Sequence, residues 1–504
     1  MSSLKEILQE LSYSFSPIPP PLNITVDEKA PTFNVDLVKM LVTAPGYHGS
    51  LKHLRELIGH EIKHASGDGL PYTWKNELWF EAALMKSLDK PLSEVRGILN
   101  VVYDAVVDLR VAAEGLDVKG ACEEWLKRFP VTPEAEGSSY HLLQILYKDF
   151  FKIKLPNTKY ERHLRTKMGS LYRNLKEAIR RLSSGEGDRN TVIEAAILVD
   201  KLSRSTAPLH EDVFIDRGNM NVRAEAAEIG IEMGLSDEQL AQLMGVGVEE
   251  LNEKIEEAAE DKVRAAMWRG ILGFKEISAA ASMLEVKEHV PERWKPYSRN
   301  VDPRSVMKHP DDPRKWRVRE KETVMLVEQE GDSGGFTKVV MLLDCSGSTG
   351  FDYSGRTVLS YIKDAAYGLL AYAKQLGLPV LTIAFNTAAW VLGSESRDYI
   401  GHGKKIFKLR PEGSTNLRSA VNLAGSKGLE RSLLVLITDG LVDPNHMREF
   451  SKRSRVSRAV VAVVNADARG IETVKTADPS VQIFVVRPDT LGRTVISSLP
   501  RKGA

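Results

Sequence analysis

The sequence predicts a multidomain chain: N-terminal and middle parts that are mainly α, followed by a C-terminal α/β unit on a doubly wound parallel sheet. Three observations predict it. From Val35 onward apolar residues recur three and four apart, the period of a helix face. Between 301 and 335 the chain turns charged and is broken by prolines and glycines, as a linker is. Beyond 336, short β-branched runs alternate with helical patterns, which implies βαβ units.

The expected elements follow in order. An amphipathic run, Leu4 to Leu11, is stopped by the prolines at 17–21. "LKHLRELIGHEIKH", "ELWFEAALMKSL" and "SEVRGILNVVYDAVVDLRVAAEG" read as helices, the last with Ser93 as its N-cap. These make a first domain, 1–155. A helical middle region, 156–300, includes "LSDEQLAQLMGVGVEELNEKI", two short helices about a glycine turn. Its second helix carries Glu249, Glu250, Glu253 and Glu256, which would repel phosphate. The linker holds one possible edge strand, "ETVMLVE". In 336–504, "KVVMLLD", "VLTIAF", "SLLVLITD", "AVVAVVN" and "VQIFVV" are near-continuous apolar strands, expected where helices cover both faces of a parallel sheet.

Bulk properties exclude several classes. With 69 basic and 68 acidic residues, no charge excess points to nucleic acid or membrane. Two cysteines, Cys122 and Cys345, are too few for a disulfide framework and fit a reducing compartment. No signal peptide or bilayer-spanning run is legible, so a cytoplasmic location is expected.

Chemistry gathers in two places. In an open parallel sheet, ligands bind beyond the carboxyl ends of the strands. Those ends here carry "LLDCSGSTG", with Asp344, Ser346 and Ser348; "EGSTNL", with Thr415; and "LLVLITDG", with Asp439. Two carboxylates and three hydroxyls suit Mg²⁺ or Mn²⁺ rather than zinc. The alternative is a Rossmann-like domain with incidental Ser and Asp in its loops. A phosphate loop is not supported, for the G-x-x-x-x-G-K-S/T spacing is absent. Cys345 should point into the sheet as a small core residue.

This segment resembles a von Willebrand factor A domain with its metal-ion-dependent adhesion site. The resemblance covers about a third of the chain, and all five positions of the motif have a match. It implies that Ser346, Ser348 and Thr415 touch the ion, that Asp344 and Asp439 hold it directly or through water, and that an acidic side chain of a partner fills the open position.

The second place is His60-Glu61-Ile62-Lys63-His64, an H-E-x-x-H pattern. On a helix the two histidines share a face and can reach one Zn²⁺, with Glu61 as general base. Catalytic zinc needs a third protein ligand. The helix 93–115 offers Asn100, Asp104 and Asp108, four apart on one face; Glu81 is another candidate. The arrangement resembles the gluzincin metallopeptidases over about 35–115. It implies Asp104 as ligand and Asp108 hydrogen-bonding a histidine behind it. The departure is Asp104 where that family has the longer glutamate. The bland alternatives are a solvated histidine stripe, and aspartates paired with Arg110 or Arg55.

A zincin-like helical domain joined to a von Willebrand A domain resembles prokaryotic proteins that work beside MoxR-type AAA+ ATPases. With no phosphate loop in this chain, ATP chemistry would come from such a partner. Two functions follow as expectations: a zinc-dependent peptidase whose A domain recruits partners, or a non-catalytic adaptor whose H-E-x-x-H domain is structural or inactive.

Overall fold

The computed structural model describes residues 23–27, 34–45, 53–65, 73–128, 130–206, 213–281, 306–308, 316–318, 336–353, 356–454, 458–464 and 482–486. They fall into two compact units, Met1–Ala259 and Glu260–Ala504.

The first unit is mostly helical but opens with strands. β1 (Asn23–Asp27), β2 (Asn34–Asp36) and β3 (Leu41–Pro45) join β4 (Val213–Phe214) in a four-stranded sheet of order β1-β3-β2-β4. The helical pattern expected from Val35 therefore starts later. "VDLVKMLVTAP" instead makes two strands about a turn, with Met40 at φ 50°. The apolar side chains Val35, Val42 and Ala44 of this sheet bury against Ile58 and Ile62 of α1 (Leu54–Ala65). That packing fixes the helix that carries the H-E-x-x-H pattern.

After α1 come α2 (Trp74–Leu88) and α3 (Leu92–Ala113). Thr73 caps α2 by accepting from Asn76 N at 3.2 Å. Ser93 does not cap α3; the N-cap is Pro91, which offers no side-chain acceptor, and the helix starts two residues earlier, at Leu92. Gly97 to Val107 of α3 are buried without a break, so this helix runs through the core rather than along its surface. α4 (Val118–Arg128), α5 (Ser139–Phe151), α6 (Lys159–Lys167), α7 (Gly169–Ser183) and α8 (Arg189–Leu202) follow, and α5, α7 and α8 pack on α3. β4 pairs in parallel with β2, Val35 opposite Val213. α5 precedes the expected 155/156 boundary and α7 and α8 follow it, and all three pack on α3 within one compact unit.

α9 (Met220–Met233), α10 (Asp237–Met244) and α11 (Leu251–Ala281) include the two-helix stretch read from 235–255. Gly245 sits between α10 and α11 at φ 68°, in the left-handed region that glycine adopts without strain. Of the expected linker, two three-residue strands are described, β5 (Val306–Lys308) and β6 (Trp316–Val318), paired antiparallel. "ETVMLVE" and the Leu4–Leu11 run lie outside the described residues.

The second unit is α/β. Its sheet comprises β7 (Lys338–Asp344), β10 (Val380–Phe385), β11 (Ala389–Ser396), β12 (Ser432–Thr438), β13 (Arg458–Val464) and β14 (Gln482–Val486). A small hairpin, β8 (Asp352–Tyr353) and β9 (Arg356–Thr357), stands outside it. The sheet order is β11-β10-β7-β12-β13-β14, parallel except for antiparallel β11 at the edge. α12 (Val358–Leu376), α13 (Tyr399–Phe407), α14 (Leu417–Ser426) and α15 (Pro444–Ser454) complete it. Both faces are covered. Val339, Met341 and Leu343 pack with α12 residues such as Leu359 and Ile362. Val340 and Leu342 pack with Leu417 and Val421 of α14 and Met447 and Phe450 of α15. The strand order reverses at β7 and β12, where crevices open in such sheets. Among the described residues, no helix is long and apolar enough to cross a membrane.

Candidate functional site

The first centre is assembled from three helices. α1 and α3 pack side by side, so His60 and His64 on α1 face Asp104 and Asp108 on α3. His64 Nε2 lies 3.0 Å from His60 Nε2 and 3.9 Å from Asp104 Oδ1. His60 Nε2 lies 3.6 Å from the same oxygen. These separations define a triangle whose circumscribed radius is about 2.1 Å, the length of a Zn–N or Zn–O bond (about 2.0–2.2 Å). The shorter reach of Asp104, compared with a glutamate, is therefore no obstacle here: the two helices stand close enough.

Asp108 sits behind this triangle. Its Oδ1 is 2.8 Å from His60 Nδ1, and its Oδ2 accepts from the Tyr147 hydroxyl of α5 at 2.5 Å. A carboxylate on Nδ1 favours the tautomer that leaves Nε2 free to ligate. The pairing of these aspartates with Arg110 is not observed: Arg110 donates to the Leu182 and Ser183 carbonyls at the end of α7. Nor does Glu81 join the cluster. It is held by Arg96 at 2.8 Å and by Arg217. Asn100 is buried one turn before Asp104.

Burial shapes the electrostatics. Glu61 is 3% exposed, His64 0% and Asp104 7%. Burial raises the Glu61 carboxyl to about 8 against the opposing pull of His60. Burial also raises Asp104, again against His60. For His60, burial alone would lower the pKa, but Asp108 and Asp104 outweigh it and lift the imidazole well above its ordinary value. Glu61 Oε2 and Asp104 Oδ1 are buried with no hydrogen-bond partner among the described residues. Such groups are costly unless something else satisfies them.

The second centre lies at the reversal of the sheet. Asp344 ends β7, and its Oδ1 accepts from Ser346 N at 2.9 Å, its Oδ2 from Thr438 Oγ1 at 2.6 Å. Ser346 Oγ and Ser348 Oγ are 3.2 Å apart. Asp439 follows β12; its Oδ1 accepts from Leu441 N at 3.0 Å, while Oδ2 is buried without a partner. Burial and the Asp439 charge together raise Asp344 to about 7. The Thr415 loop is stitched to the Ser346 loop through backbone, Gly347 N to Gly413 O and Glu412 N to Cys345 O, each 2.9 Å. Thr415 lies two residues past Gly413 and is half-buried. Cys345 is a core residue, as expected; its thiol meets the Phe385 carbonyl at 3.3 Å and burial raises its pKa to about 12.

Two participants escaped the sequence. Thr438 stood in plain view in "ITDG", and its β-branched hydroxyl at a strand end was the available signal. Tyr147 lies 39 residues beyond Asp108 and carries no motif; only the packing of α5 on α3 brings it there.

No protein-family model matches the chain, and no curated protein matches it. Solved structures match part of it. The conserved hypothetical protein BatB of Bacteroides thetaiotaomicron matches at 18% identity, covering 32% of this chain and 95% of that one, with TM-score 0.27. An aerotolerance-related membrane protein of Bacteroides fragilis matches at 17%, covering 32% and 98%, with TM-score 0.25. Proximal thread matrix protein 1 of the mussel byssus matches at 14%, covering 32% and 46%, with TM-score 0.27. Likeness at this level does not identify the chain.

Proposed function

We propose that the chain is a zinc-dependent hydrolase of the metallopeptidase kind, joined to a von Willebrand factor A unit that grips an acidic partner through Mg²⁺ or Mn²⁺. The observation that carries the zinc reading is the triangle of His60 Nε2, His64 Nε2 and Asp104 Oδ1, with a carboxylate oxygen buried and unsatisfied at one corner. His60, His64 and Asp104 would hold the ion, and zinc there would supply Lewis acidity. Asp108, braced by Tyr147, orients His60. Glu61 Oε2 would take a proton from the attacking water and return it to the leaving amine. In the second unit, Ser346, Ser348, Thr415, Asp344 and Asp439 would hold the hard cation. No lysine or arginine among the described residues forms an ion pair with either aspartate, and Asp439 Oδ2 is an orphan acceptor. Phe351 (68% exposed) and Leu441 (45% exposed) follow the two loops closely and would frame the docking face. The resemblance to partners of MoxR-type AAA+ ATPases makes such an ATPase the natural source of mechanical work.

The deep burial of Glu61, His64 and Asp104 favours a second reading, an adaptor in which zinc is structural. Purified full-length protein separates the two. Elemental analysis should find about one zinc per chain, and a quenched-fluorescent peptide library should be cleaved by the wild type and not by Glu61→Gln. Zinc with no Glu61-dependent cleavage supports the adaptor with a structural ion; folded protein without zinc refutes the hydrolase and leaves the adaptor with an inactive H-E-x-x-H domain.

A further inference from the structure

The α14 and α15 helices enclose an open groove of about 510 Å³ lined by Arg418, Asn445, Arg448, Glu449, Lys452 and Arg453. Its four cations face one carboxylate. Arg418 pairs with that carboxylate, Glu449, at 2.7 Å. Among the described residues, Arg448, Lys452 and Arg453 pair with no acid, and all three are exposed. The sheet topology sets where this groove begins. α14 starts two residues after Thr415 and α15 starts five residues after Asp439. Arg418 therefore stands at the start of a helix that leaves the metal-site loops, and Arg448 lies midway along the other. Arg453 lies at the far end, where a methyl on Gly425 would come within 2.7 Å of its Nη1. From Arg418 to Gly425 is seven helical residues, about 10 Å at 1.5 Å each.

We propose that this groove is an extension of the partner-binding face, reading a short acidic run next to the carboxylate that the metal takes. The inference rests on the metal-dependent reading of the second unit given above. A groove of about 10 Å accommodates about three extended residues at 3.3 Å each. The partner segment is thus an aspartate or glutamate followed by about three acidic residues. Guanidinium groups suit carboxylates, which they bind in a fork. Carboxylate is favoured over nucleic-acid phosphate for two reasons. The groove continues from a site whose oxygen ligands call for a carboxylate, and it contains no aromatic side chain on which a base could stack.

The test uses the full chain and three fluorescein-labelled probes: Gly-Ser-Asp-Ser-Gly-Ser-Gly, Gly-Ser-Asp-Glu-Glu-Glu-Gly and a short oligothymidylate. Anisotropy is read in Mg²⁺ and in EDTA. Each exposed ion pair contributes a factor of about 1.4 to five, so the triple-glutamate peptide should bind at least about threefold more tightly than the single-aspartate one. Arg448→Glu with Lys452→Glu should erase that advantage, and the neutral pair Arg448→Gln with Lys452→Gln should reduce it part-way. If both peptides bind equally and need Mg²⁺, the groove inference is overturned and the metal reading stands. If the acidic peptide keeps its charge-reversal sensitivity but ignores EDTA, the groove stands and the metal reading falls. Tighter binding of oligothymidylate than of the acidic peptide, lost on charge reversal, overturns the acidic partner in favour of nucleic acid.

Discussion

In the first unit the candidate ligands project from the faces of two long packed helices; in the second they sit on loops beyond strand ends. The first set mixes imidazole nitrogen with one carboxylate oxygen, the second is all oxygen. Elsewhere in the first unit some buried acids are met by protein cations, Glu81 by Arg96 and Arg217 and Glu161 by Lys148 and Arg165, while Glu77 is met by the Tyr103 hydroxyl. At the two candidate centres no described lysine or arginine pairs with Asp104, Asp344 or Asp439. The contrast teaches that each centre keeps a buried carboxylate oxygen without a hydrogen-bond partner, Asp104 Oδ1 in one and Asp439 Oδ2 in the other. On the proposed reading, donor chemistry would sort them, borderline-soft zinc to one and a hard cation to the other.

The sharpest way to break this comparison is to cross the metals. His64→Ala should weaken zinc by more than the roughly 10–100-fold expected for losing an outer partner, leaving Mg²⁺ binding unchanged; a competition titration with a chromogenic zinc chelator reads this. Loss of both metals together would mean the centres are not independent. Next, Mg²⁺ at a hundred times its Kd should stabilise the wild type by about 2.7 kcal/mol, and Asp439→Ala by nothing, in calorimetric melts of the second unit's transition. Asp108→Asn should then cost zinc affinity about 10–100-fold while every ligand stays in place. No change would show that Asp108 merely neighbours His60.

The smallest effect probes an acid that the protein itself satisfies. Asp149 accepts from Arg165 at 2.7 Å and Lys176 at 2.8 Å, and although burial opposes them these bonds hold its pKa near 2. A depressed folded-state pKa adds stability above the unfolded value of about 3.9, lost as pH falls through about 2. Asp149→Asn should therefore cost about 1 kcal/mol at pH 7, discounted because Asp149 is partly exposed, and nothing below pH 2. Urea melts across that range check it. An equal cost at both ends would assign the effect to shape rather than charge.

How much the sequence revealed depended on which forces wrote it. β7, β10 and β12 could be read almost to the residue because both faces are buried and the apolar run has nowhere to be interrupted. β11 was missed since an edge strand with one exposed side, "AWVLGSES", carries only a broken pattern. The strands around Val35 were missed because "VKMLV" also fits a helix turn, and their pairing with β4 spans some 180 residues. At the first centre the two histidines were legible from local spacing. The closeness of α1 to α3, which makes Asp104 long enough, belongs to tertiary packing alone.

The two backbone bonds between the Ser346 and Thr415 loops leave little room between them: a methyl on Gly347 would come within 3.0 Å of the Gly413 carbonyl. Gly413 itself holds φ at 69°, and a methyl there would strike Thr387. These loops are therefore one rigid jaw, set when the sheet forms rather than when a cation arrives. On the proposed reading, a cation arriving at this face would meet a frame already in place, and its capture would be paced by the shedding of its water.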